Sequence, residues 1–126
     1  MFKSVVPMLH TLDMQATIQF YEDVLGFVCV GRFENEWCRL EREGAAIMYF
    51  CVDEFDQPQA TATQYFYVDD LDAFWDSIKG KVTAEWGPEK MPYGMYEVGI
   101  KEVNGYQLSF GEKLPAFAPE GVKENF

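Results

Sequence analysis

Histidine is the side-chain type suited to general-base work, and His10, the one histidine of this chain, is therefore the natural candidate. No cysteine, serine or acid stands near it at a spacing that builds a triad, so its simpler role is a hydrogen-bonding wall residue. Alone it cannot assemble the several imidazole and carboxylate donors that a divalent metal takes. Cys29, Cys38 and Cys51 are odd in number and lack Cys-x-x-Cys spacing, which disfavours a disulfide framework and a zinc site alike. They read as small buried hydrophobes. Glycine-rich phosphate loops, a Gly-x-Ser-x-Gly elbow and a Walker motif are absent. What remains is ring chemistry: Trp37, Phe50, Tyr65 and Tyr67 can stack on a flat molecule, with His10, Arg39, Met48 and Ser109 beside them.

The elements that must position these residues recur. Val6-Pro7-Met8-Leu9-His10-Thr11-Leu12-Asp13 is an apolar run that meets an acid before a helical pattern, and Thr63-Gln64-Tyr65-Phe66-Tyr67-Val68-Asp69-Asp70 repeats it fifty-seven positions later. Asp13 caps a helix with the stripe Met14, Ile18, Tyr21 and Leu25, stopped by Gly26. Asp70 caps a second, with Leu71, Phe74, Trp75 and Ile78 as its stripe and Gly80 at the expected left-handed stop. Strands are predicted over Phe27–Val30, Glu36–Arg42 and Ala45–Val52 after the first helix, with Glu43-Gly44 as a hairpin turn. After the second they are predicted over Val82–Trp86, Met95–Lys101 and Tyr106–Phe110, the last two joined at Asn104-Gly105. The order is β-α-β-β-β, twice.

Period two sorts each strand into a helix-facing side and a free side. In the opening strand Val6, Met8 and His10 share one side; pairing Leu40 with Ile47 sets Arg39 beside Met48 and Trp37 beside Phe50 on the other face of the sheet. Thr63, Tyr65 and Tyr67 with Gln107 and Ser109 form the free side of the second half. Two such curved sheets facing each other would enclose a mostly apolar space with a few hydrogen-bonding groups, the usual makeup of a small-molecule site. Packing of the rings between the sheets is the other reading of the same pattern.

At 126 residues and 48% hydrophobic content the chain is one domain's length with enough apolar side chain for a core. Its formal charge of −11 repels phosphate backbones and anionic headgroups, which excludes nucleic acid and membrane partners and favours a cationic or neutral one. Plain solubility accounts for an acidic surface as well. No run approaches the ~18 apolar residues of a membrane helix, and no uninterrupted signal-peptide core follows Met1, so a cytoplasmic location is expected. The tail from Leu114 to Phe126 has no clear period.

Leu12-Asp13, Phe20-Tyr21, Leu25-Gly26-Phe27, Tyr67-Val68-Asp69-Asp70, Gly94 with Glu97, and Asn104-Gly105 leading to Phe110 together resemble the vicinal oxygen chelate superfamily. That superfamily includes glyoxalase I, extradiol dioxygenases and the bleomycin resistance proteins. The likeness spans about residues 5–112 and rests on order and spacing rather than on any one motif. It implies an α+β fold of two paired βαβββ modules, about 3–55 and 61–112, forming curved sheets around a cleft in a single domain 1–126 with a tail 113–126, commonly as a homodimer. It also implies four cleft-facing metal-ligand positions, which fall here on Val6, Met48, Thr63 and Ser109, none of them His or Glu. The Asp-Pro-x-Gly turn of the family is Glu102-Val103-Asn104-Gly105 here, without the proline. Glu97 matches an acid frequent before the last hairpin; it could meet a cationic ligand, or form a salt bridge with Lys101 or Arg39.

The expectation is a metal-free binding protein without a cofactor, similar to the bleomycin resistance branch, whose Val-Pro-x-Leu opening is matched by Val6-Pro7-Met8-Leu9. It would sequester a planar, cationic ligand through His10, Trp37, Arg39, Met48, Phe50, Tyr65, Tyr67 and Ser109, as in antibiotic resistance. A lyase, an isomerase using His10 or Glu97, or a dioxygenase of the same superfamily is the alternative, and a structural or interaction module is the third class.

Overall fold

The acid before each helix caps it in the same way. In the computed structural model, which describes residues 1–54 and 62–115, Asp13 has φ −140° and ψ 95°, and its carboxylate accepts the Ala16 N–H at 3.0 Å. Asp70, with φ −142° and ψ 94°, accepts the Ala73 N–H at 3.0 Å. The helices that follow are α1 (Met14–Asp23) and α2 (Leu71–Ile78). Their stripes are the reason they stay: Met14, Ile18 and Tyr21 of α1, then Leu25 just beyond it, are buried, as are Leu71 and Ile78 of α2.

Four strands accompany each helix. Strands β1 (Met8–Thr11), β2 (Val28–Phe33), β3 (Trp37–Arg42) and β4 (Ala45–Cys51) form a sheet in the order β1-β4-β3-β2. Strands β5 (Thr63–Tyr67), β6 (Trp86–Lys90), β7 (Met95–Lys101) and β8 (Gln107–Lys113) form another in the order β5-β8-β7-β6. In both, the first strand runs parallel to the last and the remaining pairs are antiparallel, so each half is a βαβββ module. The hairpin register is the one the turn requires, with Leu40 opposite Ile47 and Trp37 opposite Phe50. Glu43, at φ 52°, takes the left-handed turn position there.

Several boundaries differ from the sequence expectation. The opening strand starts at Met8, because Pro7 has no N–H to extend the ladder, although its carbonyl still accepts the Met48 N–H at 2.9 Å. Val6 thus lies outside it. β2 runs on to Phe33 through a register shift between Cys29 and Gly31, and β8 runs on to Lys113. The strand expected over Val82–Trp86 is replaced by β6, which begins where that one was to end. It contains Gly87 and Pro88, which read as breakers; an edge position and a register shift between Trp86 and Glu89 accommodate them. Gly26 has φ 72° as a helix stop should, whereas Gly80 is not among the positive-φ glycines of the described residues and Lys79, the C-cap of α2, keeps right-handed geometry. Asn104-Gly105 is not a two-residue turn: the last paired residues are Lys101 and Gln107, leaving a five-residue loop with Gly105 at φ 91°.

The chain divides into two compact units, Met1–Ala60 with Val103–Gly105, and Thr61–Glu102 with Tyr106–Phe126. The first has its core between α1 and the buried Cys38, Leu40, Ile47 and Tyr49 of β3 and β4. At its edge Asn104 is buried with two threonines. Thr11 Oγ1 donates to Asn104 Oδ1 at 2.7 Å, Asn104 Nδ2 donates to Thr17 Oγ1 at 3.1 Å, and Thr17 Oγ1 donates to the Asp13 carbonyl at 2.9 Å. The second unit packs α2 on β7 and β8, with Phe110 between Phe74 and Phe66 at ring-centroid distances of 4.5 and 5.1 Å. Among the described residues no helix is long and apolar enough to cross a membrane. Most of the tail expected over 113–126 lies outside the described residues.

Candidate functional site

In each unit the helix covers one face of the sheet, and the expected site residues lie on the other. In the first unit His10, Phe50 and Trp37 stand in one cross-strand row, and Met8, Met48, Arg39 and Gly31 in the next. The rings of His10 and Phe50 meet edge to face at 4.4 Å. Trp37 lies over Gly31, where an added Cβ would come within 3.0 Å of the indole Cη2; the absent side chain is what gives the indole its place. Arg39 is held by Glu41 at 2.6 Å, both half-exposed, so its charge is already answered on its own strand.

In the second unit one row runs Tyr65, Ser109, Gly99, Trp86 and the adjacent one Tyr67, Gly111, Glu97, Glu89. Two close backbone approaches shape it. An added Cβ at Gly99 would stand 2.3 Å from Trp86 Cε2, and one at Gly111 would stand 1.9 Å from Tyr65 Oη. Tyr65 therefore crosses diagonally over Gly111, and its hydroxyl donates to Glu97 Oε2 at 2.6 Å. Tyr93, from the loop between β6 and β7, donates its hydroxyl to Glu97 Oε1. Tyr67 leans on Tyr65 at 5.0 Å between ring centroids and is 66% exposed, against 38% for Tyr65.

Glu97 is only 2% exposed, and among the described residues no Lys or Arg forms an ion pair with it. The salt bridge expected with Lys101 or Arg39 is thus replaced by two phenolic hydroxyls. Their titration reflects it. Burial together with the Glu97 carboxylate pushes the Tyr93 phenol up to about 12, and the same causes push Tyr65 higher still, so both remain donors.

Of the expected residues, the first sheet brings together His10, Trp37, Arg39, Met48 and Phe50, and the second brings together Tyr65, Tyr67 and Ser109; Ser109 is buried at 4% exposure. Sequence reasoning offered Glu97 as an acid that could meet a cationic ligand without placing it among the expected contact residues, and it passed over Tyr93. Gly99 and Gly111 were the available signal, since a lone glycine in a strand pattern marks a close approach by another group.

The register also tests the four metal positions. Met8 pairs with Met48, and Tyr65, fifty-seven positions after Met8, pairs with Ser109, so Met48 and Ser109 hold corresponding places in the two sheets although they stand sixty-one positions apart. An isopropyl group, a thioether and two hydroxyls do not make the imidazole and carboxylate set that hard or borderline divalent ions need. The residues present do not fit that metal. Among the described residues no group of three or more His, Cys, Asp or Glu is placed to hold one elsewhere.

A family model described as the glyoxalase/bleomycin resistance protein/dioxygenase superfamily matches residues 5–110, and the chain belongs to that superfamily. The fold is similar to that of a bleomycin resistance determinant encoded on the transposon Tn5, with a TM-score of 0.78 and 23% identity over 89% of this chain and 98% of that one. It is similar to a bleomycin-binding protein solved in complex with bleomycin, with a TM-score of 0.76 and 22% identity over 89% of this chain and 99% of that one. A superfamily protein from Nocardioides aligns over 98% of this chain and 91% of its own at 14% identity, with a TM-score of 0.78. At such identities the likeness is one of fold. A search of the curated proteins finds no significant match.

Proposed function

We propose that this chain is a binding protein that sequesters a planar, cationic small molecule without a metal, in the manner of the bleomycin-binding relatives. The observation that carries the reading is the tyrosine pair Tyr65 and Tyr67, open to solvent on a helix-free face beside the buried carboxylate of Glu97. Exposed rings offer stacking and cation–π attraction, and a buried anion beside them selects for positive charge. The proposed contacts also include His10, Trp37, Arg39, Met48 and Phe50 on the helix-free face of the first sheet, and Ser109 beside Tyr65 on the second. The net charge of −11 favours the approach of such a ligand. A homodimer in the cytoplasm, serving antibiotic resistance, completes the proposal.

Two measurements test it. Native and denatured masses of the purified protein should differ by nothing or by an organic compound; one divalent ion per chain would overturn the metal-free reading and bring the lyase or dioxygenase reading forward. Fluorescence titration with two planar cationic dyes, DAPI and thioflavin T, should saturate at one dye per chain. No saturable change with either would overturn the binding reading.

A further inference from the structure

We infer that Glu97 is the group that reads the ligand's charge, that the cation it takes carries N–H donors, and that this cation enters by displacing the hydroxyl of Tyr93. The inference rests on the binding reading above and deepens it. A carboxylate offers about four lone-pair sites, and the two tyrosine hydroxyls fill two of them. Neither phenol brings charge, so a nearly fully buried anion is solvated by neutral donors alone among the described residues. Such an anion gains most from a cationic donor, whose charge-assisted hydrogen bonds are about twice as strong as neutral ones.

The two hydroxyls are held differently. Tyr65 comes from the interior of β5, lies over Gly111 and rests against Tyr67. Tyr93 comes from the loop between β6 and β7, where Met91 N–H bonds to the Met95 carbonyl at 2.7 Å and Gly94 N–H to the Met91 carbonyl at 3.1 Å. Tyr93 is 41% exposed and its hydroxyl reaches Glu97 from outside the ladder. Displacing Tyr93 opens Oε1 while Tyr65 keeps Oε2, and the rings of Tyr65 and Tyr67 remain to face the cation. A quaternary ammonium has no hydrogen with which to replace the hydroxyl. The chemical class is therefore an ammonium, amidinium or guanidinium borne on a flat molecule.

DAPI, a dication whose amidinium groups carry N–H donors, and methyl viologen, an aromatic dication that has none, separate these features at equal charge. The dissociation constants of both are measured for the unmodified chain, Glu97→Gln and Tyr93→Phe, with thermal melts alongside. Glu97→Gln should weaken DAPI about tenfold and methyl viologen less than about threefold. Tyr93→Phe removes the competing hydroxyl and should tighten DAPI about two- to fivefold, a gain that a damaged fold cannot imitate. Equal effects of Glu97→Gln on the two dications, or no tightening by Tyr93→Phe, would overturn the inference while leaving the binding reading intact. Should the unmodified chain bind neither DAPI nor thioflavin T, the binding reading fails and this inference with it.

Discussion

One absent β-carbon decides whether Tyr65 reaches Glu97. At Gly111 a methyl group would occupy the place of the Tyr65 hydroxyl, and because that hydroxyl ends a flexible side chain, the ring can swing aside. Gly111→Ala should therefore fold yet lose the bond to Glu97, at a cost of about 1–2 kcal/mol in denaturant unfolding. The phenols predict a pH dependence too. Tyr93 is raised from its ordinary 10.0 to about 12, so the folded state holds this proton more tightly than the unfolded chain. The stabilisation is fully present below pH 10 and is lost as pH rises toward 12, and Tyr65 adds in the same direction. Melting temperature should fall across that window, less steeply in a Tyr65→Phe, Tyr93→Phe double variant. At this scale the sequence was half legible. The parity of β7 and β8 places Glu97 beside Gly111 on the free face, but no periodicity reports a hydroxyl that reaches back from a loop, as Tyr93 does.

Elements were the most legible level, because caps and stripes act through near neighbours. Asp13 and Asp70 announce both helices, and each substitution to alanine should cost about 1 kcal/mol by thermal or denaturant unfolding. The register of β3 on β4 followed from the length of one turn. β6 was not legible, since Gly87 and Pro88 argue against a strand and only an edge position in a finished sheet tolerates them. Gly87 has a stricter demand than Gly111: at φ 77° an added Cβ would stand 2.4 Å from the backbone oxygen of Glu97, which cannot swing away. The buried use of Asn104 was equally hidden, because asparagine before glycine reads as a solvated turn. Asn104→Ala should destabilise by about 2 kcal/mol, leaving Thr11 and Thr17 without their amide, as chemical denaturation would show.

For the molecule as a whole, charge and repetition are what the composition makes legible. With a net charge of −11, the association rate of a cationic dye should fall about fivefold as the Debye length shrinks from ~30 Å in dilute buffer to ~3 Å in molar salt, in stopped-flow mixing. The doubled βαβββ order was readable because two copies fifty-seven residues apart reinforce one another, which is also why the superfamily could be seen without a decisive motif. What neither charge nor repetition reports is that Val103–Gly105 goes with the first sixty residues. That detail bears on the order of synthesis. A chain leaving the ribosome from its N-terminus can form α1 and the first sheet early, but Thr11 and Thr17 wait for Asn104, which is made after every strand of the described residues but β8. The unit that is translated first thus closes its polar cluster only after most of the second sheet has been made.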